Sequence, residues 1–159
     1  GLNFQKYTHF TSPIRRYPDV IVHRKLQEIL SNKVLQDPNI ENKCIHLSKR
    51  EELATKAERS SIKFMQVKYM SSKINKIYKG TISGVIERGL FVEINENKCE
   101  GFIKLKDVPG DYFLFDNINL LVYGRHTKKE YQLGDVVSVK VISTDIINKR
   151  IELKLLENN

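Results

Sequence analysis

The chain has 159 residues, of which 40% are hydrophobic and 29% are charged, and its formal net charge is +8. This length accommodates one medium domain or two small ones, with enough apolar residues for packed cores. The longest apolar runs span only a few residues and no charged-then-apolar leader opens the chain, so neither a membrane span nor a signal peptide is indicated and we expect a cytoplasmic protein.

The positive charge is concentrated in the first half of the chain. Residues 1–75 contain 14 Lys and Arg against 7 Asp and Glu, a net charge of +7, whereas residues 76–159 contain 13 against 12, a net charge of +1. A basic surface attracts polyanions by counterion release without sequence preference, which makes nucleic acid the first expected partner. An anionic membrane surface is the weaker alternative, because no segment pairs a lysine-rich face with a continuous apolar one.

The cysteines and histidines are scattered along the sequence. Cys44 and Cys99 lie far apart without the paired spacing of metal ligands, and the four histidines form no cluster. A disulfide framework or a zinc site is therefore not expected, and both cysteines are predicted to be buried or semi-exposed thiols.

A proline-containing segment, residues 7–19, is the first element in chain order. Each of its two prolines fixes its own φ and pushes the preceding residue out of the helical region, so the backbone is predicted to be a stiff, bent connector. Ser12 before Pro13 predicts a helix cap followed by a first-turn proline, and Tyr17-Pro18 repeats this signal one turn later. The segment is therefore predicted to hold the side chains between the prolines in fixed positions.

Arg15 and Arg16 lie between these two prolines. A guanidinium stays charged at any working pH and presents a planar fork of donors that matches the oxygens of a phosphate, so the pair indicates phosphate recognition. The alternative is a structural ion pair with Asp19 or with a helix carboxyl terminus.

Helices are predicted after this turn. Apolar residues at helical spacing predict a helix over residues 18–31, followed by a loop at residues 36–39. Asn39-Ile40 begins a short helix that is expected to stop before Ser48. The sequence Ser48-Lys49-Arg50-Glu51 is a capping box, which predicts that a separate long helix starts there and runs to about Met70.

The predicted long helix carries an apolar stripe. Such a stripe is more often a core face than a cofactor site, and we expect it to be buried against the rest of an upstream domain. Its residues are Leu53, Ala54, Ala57, Ile62, Met65 and Tyr69.

The composition changes at residues 71–73, after which apolar and polar residues alternate as they do in strands. Five short strands in this order favour a small closed barrel, and no internal repeat is visible. The predicted strands cover residues 78–86, 88–94, 100–105, 134–142 and 150–153.

Residues 8–19, THFTSPIRRYPD, resemble a signature near the end of the RNB catalytic domain of ribonuclease II- and ribonuclease R-type exoribonucleases. The likeness extends through Val22-His23-Arg24, Ala57-Glu58-Arg59 and residues 149–153, so it covers nearly the whole chain, and the ribonuclease R type is the closer match. Because the chain starts with Gly1 and the likeness begins almost at once, we expect a carboxyl-terminal piece of a longer protein.

The second half resembles the OB-fold RNA-binding domain of the ribosomal S1 type. The similar segments are residues 79–82, 89–92, 100–103 and 133–141, and residues 110–131 look like an extra hairpin that the ribonuclease R type carries. The resemblance implies an α+β chain in which a helical carboxyl-terminal remnant of an RNB domain (residues 1–74) precedes an all-β five-stranded OB-fold barrel with an extra hairpin (residues 75–159).

The resemblance also implies roles for residues of the first half. Arg15 matches the catalytic arginine of the family, which stabilises negative charge on the scissile phosphate. Tyr7, His9 and Arg16 are expected to contact the RNA strand, and Glu58 to lie near its terminal nucleotides. His9 is not expected to act as a general base, because the chemistry of the family is led by metal ions.

The resemblance implies Mg²⁺ as the cofactor of the parent enzyme, with no ligands in this chain. Two magnesium ions clamped by carboxylates would activate water and neutralise the leaving oxygen. Asp19, Glu28, Asp37 and Glu41 are scattered in the sequence, and the aspartate cluster of the family precedes the Ser-Pro-Ile-Arg turn, so it is expected upstream of Gly1.

For the barrel, the resemblance implies a platform that stacks RNA bases on Phe91 and Phe102. Lys104, Arg88 and Arg150 would supply positive charge. Arg88 and Lys104 stand where the family often has phenylalanine and histidine, so cation contacts are expected to contribute more than ring stacking does. The alternative is that the two phenylalanines fill the barrel interior.

The expected function is therefore part of a 3′-to-5′ exoribonuclease that hydrolyses single-stranded RNA to nucleoside monophosphates. This chain would supply RNA binding and one catalytic arginine, would not cut RNA alone, and is expected to be a monomer. Association with the ribosome or the RNA-decay machinery is left open. The alternative is a non-catalytic RNA-binding or ribosome-associated module, and a third class is a scaffold whose basic half binds an acidic protein.

Overall fold

The computed structural model describes residues 3–33 and 36–156 of the chain. Within these residues the fold is α+β, as the sequence predicts, and the chain divides into two compact units, Gly1–Glu58 and Arg59–Asn159. None of the helices in these ranges is long and apolar enough to cross a membrane. The helices are α1 (Tyr17–Leu30) and α2 (Ile40–Ser71), and the strands are β1 (Ile77–Ile86), β2 (Gly89–Ile94), β3 (Glu100–Lys104), β4 (Phe113–Asp116), β5 (Leu121–Gly124), β6 (Glu130–Tyr131), β7 (Val136–Asp145) and β8 (Arg150–Leu155).

The turn before α1 corrects one sequence prediction. No helix begins at Ser12, whose carbonyl instead accepts hydrogen bonds from the backbone N–H groups of Arg15 (3.3 Å) and Arg16 (3.1 Å) and closes an isolated turn around Pro13. Helix α1 starts only at the second proline signal, with Pro18 in its first turn, where its fixed φ and missing N–H cost nothing. The predicted helix over residues 18–31 is thus confirmed to within one residue.

Helix α2 is one continuous helix, so the predicted break before Ser48 is wrong. The Ser48 hydroxyl donates to the carbonyl oxygen of Cys44 (3.0 Å), the preceding-turn bond of a serine inside a helix, and does not cap a helix start. The start predicted at Asn39-Ile40 is confirmed, because α2 begins at Ile40. Asp37 closes the turn before it: an Asp37 carboxylate oxygen accepts the Asn39 N–H (3.0 Å), and the Asp37 carbonyl accepts the Ile40 N–H (3.1 Å). With no glycine or proline between residues 40 and 71, nothing interrupts the helix.

The apolar stripe predicted for this helix is exposed in the described chain. Leu53, Ile62 and Met65 are each more than half exposed, at 56%, 53% and 58%. The buried side chains of α2 are Val67 and Met70, which join the core of the second unit. Burial of the stripe against an upstream domain stays a prediction.

Five strands of the second unit form a closed barrel in the order β1-β2-β3-β8-β7. Every neighbouring pair is antiparallel except β3 and β8, which are parallel. Bulges between Ile82 and Gly84 on β1 and between Val141 and Ser143 on β7 shift the pairing at two places along the wall. The barrel interior is aliphatic: its buried strand residues include Ile82, Leu90, Val92, Ile94, Ile103, Val137, Val139, Val141, Ile151, Leu153 and Leu155.

The carboxyl-terminal half of α2 is tied to this barrel by polar contacts as well as by Val67 and Met70. The Lys63 ammonium donates to the carbonyl oxygen of Glu100 (3.0 Å), and the Gln66 side-chain amide donates to the carbonyl oxygen of Lys98 (2.9 Å). Lys149 in the β7–β8 turn also donates to the Ser60 hydroxyl. The second unit therefore includes the end of a helix as well as strands.

The segment predicted to be an extra hairpin is a three-stranded sheet in the order β4-β5-β6. Its β4–β5 hairpin lies within the predicted residues 110–131, and the two-residue strand β6 adds a third member. Asp111, at the entry to the sheet, accepts hydrogen bonds from the Thr127 N–H (2.7 Å) and the His126 N–H (2.7 Å) and thereby joins the entry to the turn between β5 and β6. These bonds hold the pKa of Asp111 far below its ordinary range.

Candidate nucleic-acid interface

Phe91 and Phe102 stand opposite each other on β2 and β3, and both side chains lie on the outer surface of the barrel. Burial alternates along both strands, so Leu90, Val92 and Ile103 fill the interior while the two phenylalanines are half-buried. The ring centroids are 5.0 Å apart with the planes tilted by 51°. The alternative that these rings fill the barrel is therefore wrong. We call the two rings the platform.

Each platform ring lies over a glycine. A Cβ on Gly84, the register partner of Phe91, would come within 3.4 Å of the Phe91 ring, and a Cβ on Gly89 would come within 2.8 Å of Phe102 Cζ and 1.9 Å of the Ile103 carbonyl oxygen. The absence of a side chain at these two glycines leaves the space that the rings occupy against the wall. The sequence carries the signal as one glycine near the end of β1 and one at the start of β2, but their role is visible only once the strand register is known.

Lys104 lies at the end of β3 beside the platform and is held in an ion pair. Its ammonium is 2.7 Å from a carboxylate oxygen of Glu152, the residue that pairs with Phe102 across the parallel β3–β8 contact. The other oxygen of Glu152 accepts a hydrogen bond from the Ser143 hydroxyl (3.0 Å). Hydrogen bonding within the pair raises the pKa of Lys104 and lowers that of Glu152, so both groups are charged at neutral pH.

A cleft of about 350 Å³ runs along the outer wall beside Phe102 and Lys104, and is also lined by Glu152 and Lys154. We call it the platform cleft. Arg88 lies in the turn between β1 and β2, Arg150 is the first residue of β8, and both are exposed. Four of the five predicted barrel residues, Arg88, Phe91, Phe102 and Lys104, therefore lie on the β1–β2–β3 wall, and Arg150 lies on the strand that adjoins it.

In the first unit the two adjacent arginines have different surroundings. Arg16 donates from its terminal guanidinium nitrogen to Asp19 (3.0 Å), whose carboxylate is fully buried and also accepts the Ser12 N–H (2.7 Å). The structural ion pair considered as an alternative thus exists, and Arg16 makes it. Arg15 is exposed, and no hydrogen bond or ion pair of its side chain is found among the described residues.

Burial raises the pKa of Asp19, but hydrogen bonds from the Ser12 N–H and the Arg16 guanidinium outweigh this effect. The pKa of the carboxyl group is consequently lower than its ordinary value. The charged carboxylate fixes the turn from both sides, because Ser12 and Arg16 are its first and last residues.

Tyr7 and His9 pack edge to face with ring centroids 5.7 Å apart. They border a cleft of about 300 Å³ whose other side is formed by residues of α1 and α2, including Val22 and Cys44. The Tyr7 ring is exposed, and the His9 side chain is half-buried. The structure therefore brings these two predicted residues together on one surface.

Glu58 is exposed on α2. No group of three or more His, Cys, Asp or Glu side chains in residues 3–33 and 36–156 is arranged to hold a metal ion. The magnesium implied by the family resemblance therefore has no fitting ligand set among these residues.

The geometry agrees with two family models. The S1 RNA binding domain matches residues 71–155, and the RNB domain matches residues 1–32. The chain belongs to the S1 RNA binding domain family. The S1 match covers all eight strands and the platform, whereas the RNB match covers the turn that carries Arg15 and Arg16.

The whole chain is also similar to ribonuclease R, which confirms the resemblance seen in the sequence. It is 39% identical to ribonuclease R of Aquifex aeolicus over 99% of its own length and 23% of that protein. It is 30% identical to ribonuclease R of Escherichia coli over 99% of its length and 21% of that protein. The chain therefore spans less than a quarter of these two relatives.

Solved structures are also similar to this chain. Mycoplasma genitalium ribonuclease R in complex with ribose-methylated single-stranded RNA matches with a TM-score of 0.82 and 32% identity, over 94% of this chain and 24% of that one. The same protein in complex with double-stranded RNA matches with a TM-score of 0.60 and 26% identity, over 94% of this chain and 22% of that one.

Proposed function

We propose that this chain is the RNA-binding, carboxyl-terminal part of a 3′-to-5′ exoribonuclease of the ribonuclease R type. The parent enzyme would hydrolyse single-stranded RNA to nucleoside monophosphates with the help of Mg²⁺. The observation that carries the proposal is the outward-facing pair of Phe91 and Phe102 beside Lys104, on an S1 domain that is joined to an RNB-like turn. In this interpretation residues 1–74 are the helical end of the catalytic domain and residues 75–159 are an OB-fold.

The barrel would bind a single strand by stacking. Each of the two rings offers a face to one base, and such a stack contributes about 1–3 kcal/mol whatever the base is. Lys104, Arg88 and Arg150 would neutralise the backbone phosphates, which adds affinity without sequence preference. To contact a phosphate, the Lys104 ammonium would exchange its Glu152 partner, so part of its binding energy offsets the loss of that ion pair.

The first unit would contribute to hydrolysis. Arg15, exposed on a turn that is held from both ends, would donate hydrogen bonds to the scissile phosphate as negative charge develops in the transition state. Tyr7 and His9 would contact the strand from the neighbouring surface, and Glu58 would lie near its terminal nucleotides. Arg16 is engaged by Asp19, so we assign its main role to holding the turn, and an RNA contact would use only donors that Asp19 leaves free.

Binding is tested by fluorescence anisotropy of labelled single-stranded and duplex RNA, titrated with the 159-residue chain across a salt series. We expect preference for the single strand and a linear fall of log K with log salt. Phe91→Ala or Phe102→Ala should weaken single-strand binding by about tenfold, the value of one modest stack. Tyr123→Ala, which removes an exposed ring from β5, is the matched control and should not change affinity.

Catalysis is tested in the parent enzyme by following release of nucleoside monophosphates. Arg15→Ala should lower kcat by about 10²- to 10³-fold, as expected for loss of one donor to the transition state. Arg24→Ala removes an exposed guanidinium from α1 and should leave kcat unchanged. Equal activity of the Arg15→Ala and wild-type enzymes would exclude the catalytic role. The 159-residue chain alone, free of host nucleases, is expected not to shorten RNA when Mg²⁺ is added.

The competing proposal is a non-catalytic RNA-binding or ribosome-associated module. It is favoured by one observation, namely that the S1 match covers more than half of the chain whereas the RNB match covers 32 residues. The two proposals differ in the parent protein: a module would bind RNA with the same dependence on Phe91 and Phe102 but would release no nucleoside monophosphates.

A further inference from the structure

A second cleft, of about 420 Å³, lies where the end of β3 meets the entry to the three-stranded sheet. It is lined by Arg88, Lys104, Lys106, Asp111 and Tyr112, among others. Its volume falls within the range of about 300–1,000 Å³ that is usual for ligand-binding pockets. We call it the sheet cleft. Neither Lys106 nor Tyr112 belongs to the platform or to the residues for which the family resemblance implies a role.

The surface of the sheet cleft is positively charged. Its positive charge comes mainly from the Arg88 guanidinium and the Lys106 ammonium, neither of which has a carboxylate within 4.0 Å in the described chain. The third cation of the lining, Lys104, is paired with Glu152. The acidic residue in the lining, Asp111, is directed inward, since its side chain is only 2% exposed and its oxygens accept bonds from the His126 and Thr127 segment. Such a surface attracts a polyanion.

Tyr112 presents its ring on a fixed piece of backbone. Its N–H donates to Asp111 (2.6 Å), and its carbonyl oxygen accepts the Arg125 N–H (3.0 Å). The side chain is 66% exposed and has no ring neighbour among the described residues. An exposed aromatic ring on a rigid mount loses little conformational entropy when a base stacks on it.

The sheet cleft adjoins the platform. Lys104 lines both the platform cleft and the sheet cleft. The tip of the Phe102 ring lies over Gly89, and the preceding residue, Arg88, lines the sheet cleft. A strand stacked on the platform would therefore need to advance only past Lys104 to reach Tyr112.

We propose that the sheet cleft binds the nucleotide next to those on the platform, with its base stacked on Tyr112 and its phosphate between Arg88 and Lys106. This inference rests on the proposed function, because it extends the same RNA path. It assigns a binding role to the additional sheet: the sheet supplies a third stacking ring to a barrel wall that carries two. The ligand is single-stranded RNA, since a base inside a duplex already has both faces stacked on its neighbours.

The test uses the 159-residue chain and a length series of labelled oligouridines from 4 to 12 nucleotides, within the usual site size of an OB-fold. Tyr112→Ala should weaken binding of the longer oligomers by about tenfold and that of the shortest oligomer less, whereas Tyr112→Phe should bind like the wild type. Lys106→Ala should reduce the slope of log K against log salt by about 0.7, the value for one phosphate contact of a single strand.

Matched controls are available on the same sheet. Tyr123→Ala removes an exposed ring from β5, Lys128→Ala removes an exposed charge from the β5–β6 turn, and neither residue lines the cleft. Both variants should bind RNA of every length like the wild type. In addition, RNA that contains 4-thiouridine should cross-link to the peptide that includes Tyr112.

The outcomes separate the two proposals. If Phe91→Ala weakens binding while Tyr112→Ala does not at any length, the RNA follows another route and the sheet-cleft inference is wrong, although the proposed function stands. If the wild-type chain binds no RNA at low salt, the proposed function fails and the inference fails with it. Binding of an acidic protein at Lys106 and Tyr112 in place of RNA would overturn the choice of ligand.

Discussion

Arg15 and Arg16 show how two adjacent residues of one type acquire different roles. The ion pair with buried Asp19 restrains Arg16, whereas the Arg15 side chain is exposed on the turn that this ion pair stabilises. A fork of donors suits both tasks, so residue type alone does not distinguish them. Spacing does help, because Arg16 and Asp19 are three residues apart and face each other once α1 begins between them.

The first prediction concerns the pH dependence of this turn. The pKa of Asp19 is lower in the folded chain than the value of about 3.9 in an unfolded one, so the carboxylate stabilises the turn above that pH and ceases to do so as the pH falls through the folded pKa. In an NMR titration from pH 7 to pH 2, the Ser12 amide resonance should move with a midpoint below about 3.9. Asp19→Asn should abolish this transition. A midpoint at or above the unfolded value would contradict the described hydrogen bonds.

The second prediction concerns Gly89. A Cβ there would lie 1.9 Å from the Ile103 carbonyl oxygen, so Gly89→Ala must displace the β2–β3 pairing on which the platform is built. Gly134→Ala is the control, because Gly134 has a φ of +93° but no atom lies within 4 Å of the position that a Cβ would take. We expect urea unfolding to show that Gly134→Ala lowers the free energy of unfolding by about 1–2 kcal/mol, the cost of a residue in the left-handed region, and that Gly89→Ala lowers it clearly more. If both variants lost the same free energy of unfolding, the close approach to the Ile103 carbonyl oxygen would not be what makes Gly89 necessary.

At the scale of the elements, the spacing of apolar residues and the residues typical of turns and helix ends predicted most of the secondary structure. Helix α1 and the five barrel strands lie where alternation and helical spacing place them, with ends that differ by up to three residues. The false break at Ser48 arose because a capping box and a serine in mid-helix share the same local sequence. The helix that was predicted to begin at Asn39-Ile40 does begin there, and it continues through Ser48 without a break.

The third prediction separates these two candidate starts of α2. Asp37→Ala removes the acceptor for the Asn39 N–H and the ion pair with the Lys43 ammonium (2.6 Å), so it should lower both the helical ellipticity at 222 nm and the urea midpoint. Ser48→Ala removes only a bond to the preceding turn and introduces a better helix former, so its stability should stay within about 0.5 kcal/mol of the wild type. If Ser48→Ala lowered the helical ellipticity and the urea midpoint more than Asp37→Ala did, the capping box at Ser48 would be supported instead.

The three-stranded sheet could be predicted only in part. A resemblance located an extra hairpin in residues 110–131, but β6 has only two residues and carries no periodic signal. What holds the segment together is Asp111, whose partners His126 and Thr127 lie 15 and 16 residues later in the chain. Contacts of that range are invisible to local pattern, and the sheet cleft that depends on them could not be predicted from the sequence.

At the scale of the whole molecule, the predicted site residues divide between the two units. Tyr7, His9, Arg15, Arg16 and Glu58 belong to Gly1–Glu58, and the platform belongs to Arg59–Asn159. The excess positive charge of residues 1–75 does not mark the platform, which is aromatic and lies in the nearly neutral half. Net charge predicted the class of partner, and strand alternation with a family resemblance was needed to locate the rings.

Resemblance nominated Phe91 and Phe102, but two orientations remained open until the register was known. With β2 and β3 paired so that the two phenylalanines are opposite, the interior is already filled by Leu90, Val92 and Ile103. A slip of one residue would reverse every side chain on the strand. The outward orientation is therefore a property of the assembled barrel and not of either strand alone.

The two cysteines differ in exposure, so their reactivity can be used to follow opening of the barrel. Cys44 is exposed, whereas Cys99 is 3% exposed and burial raises the pKa of its thiol. Since the thiolate is the form that reacts, an alkylating reagent should modify Cys44 within minutes and reach Cys99 only when the barrel opens. Mass spectrometry after timed alkylation should show one fast and one slow adduct, and Cys44→Ser should remove only the fast one. The rate of Cys99 alkylation therefore reports how often the barrel of the native chain opens, with no label added.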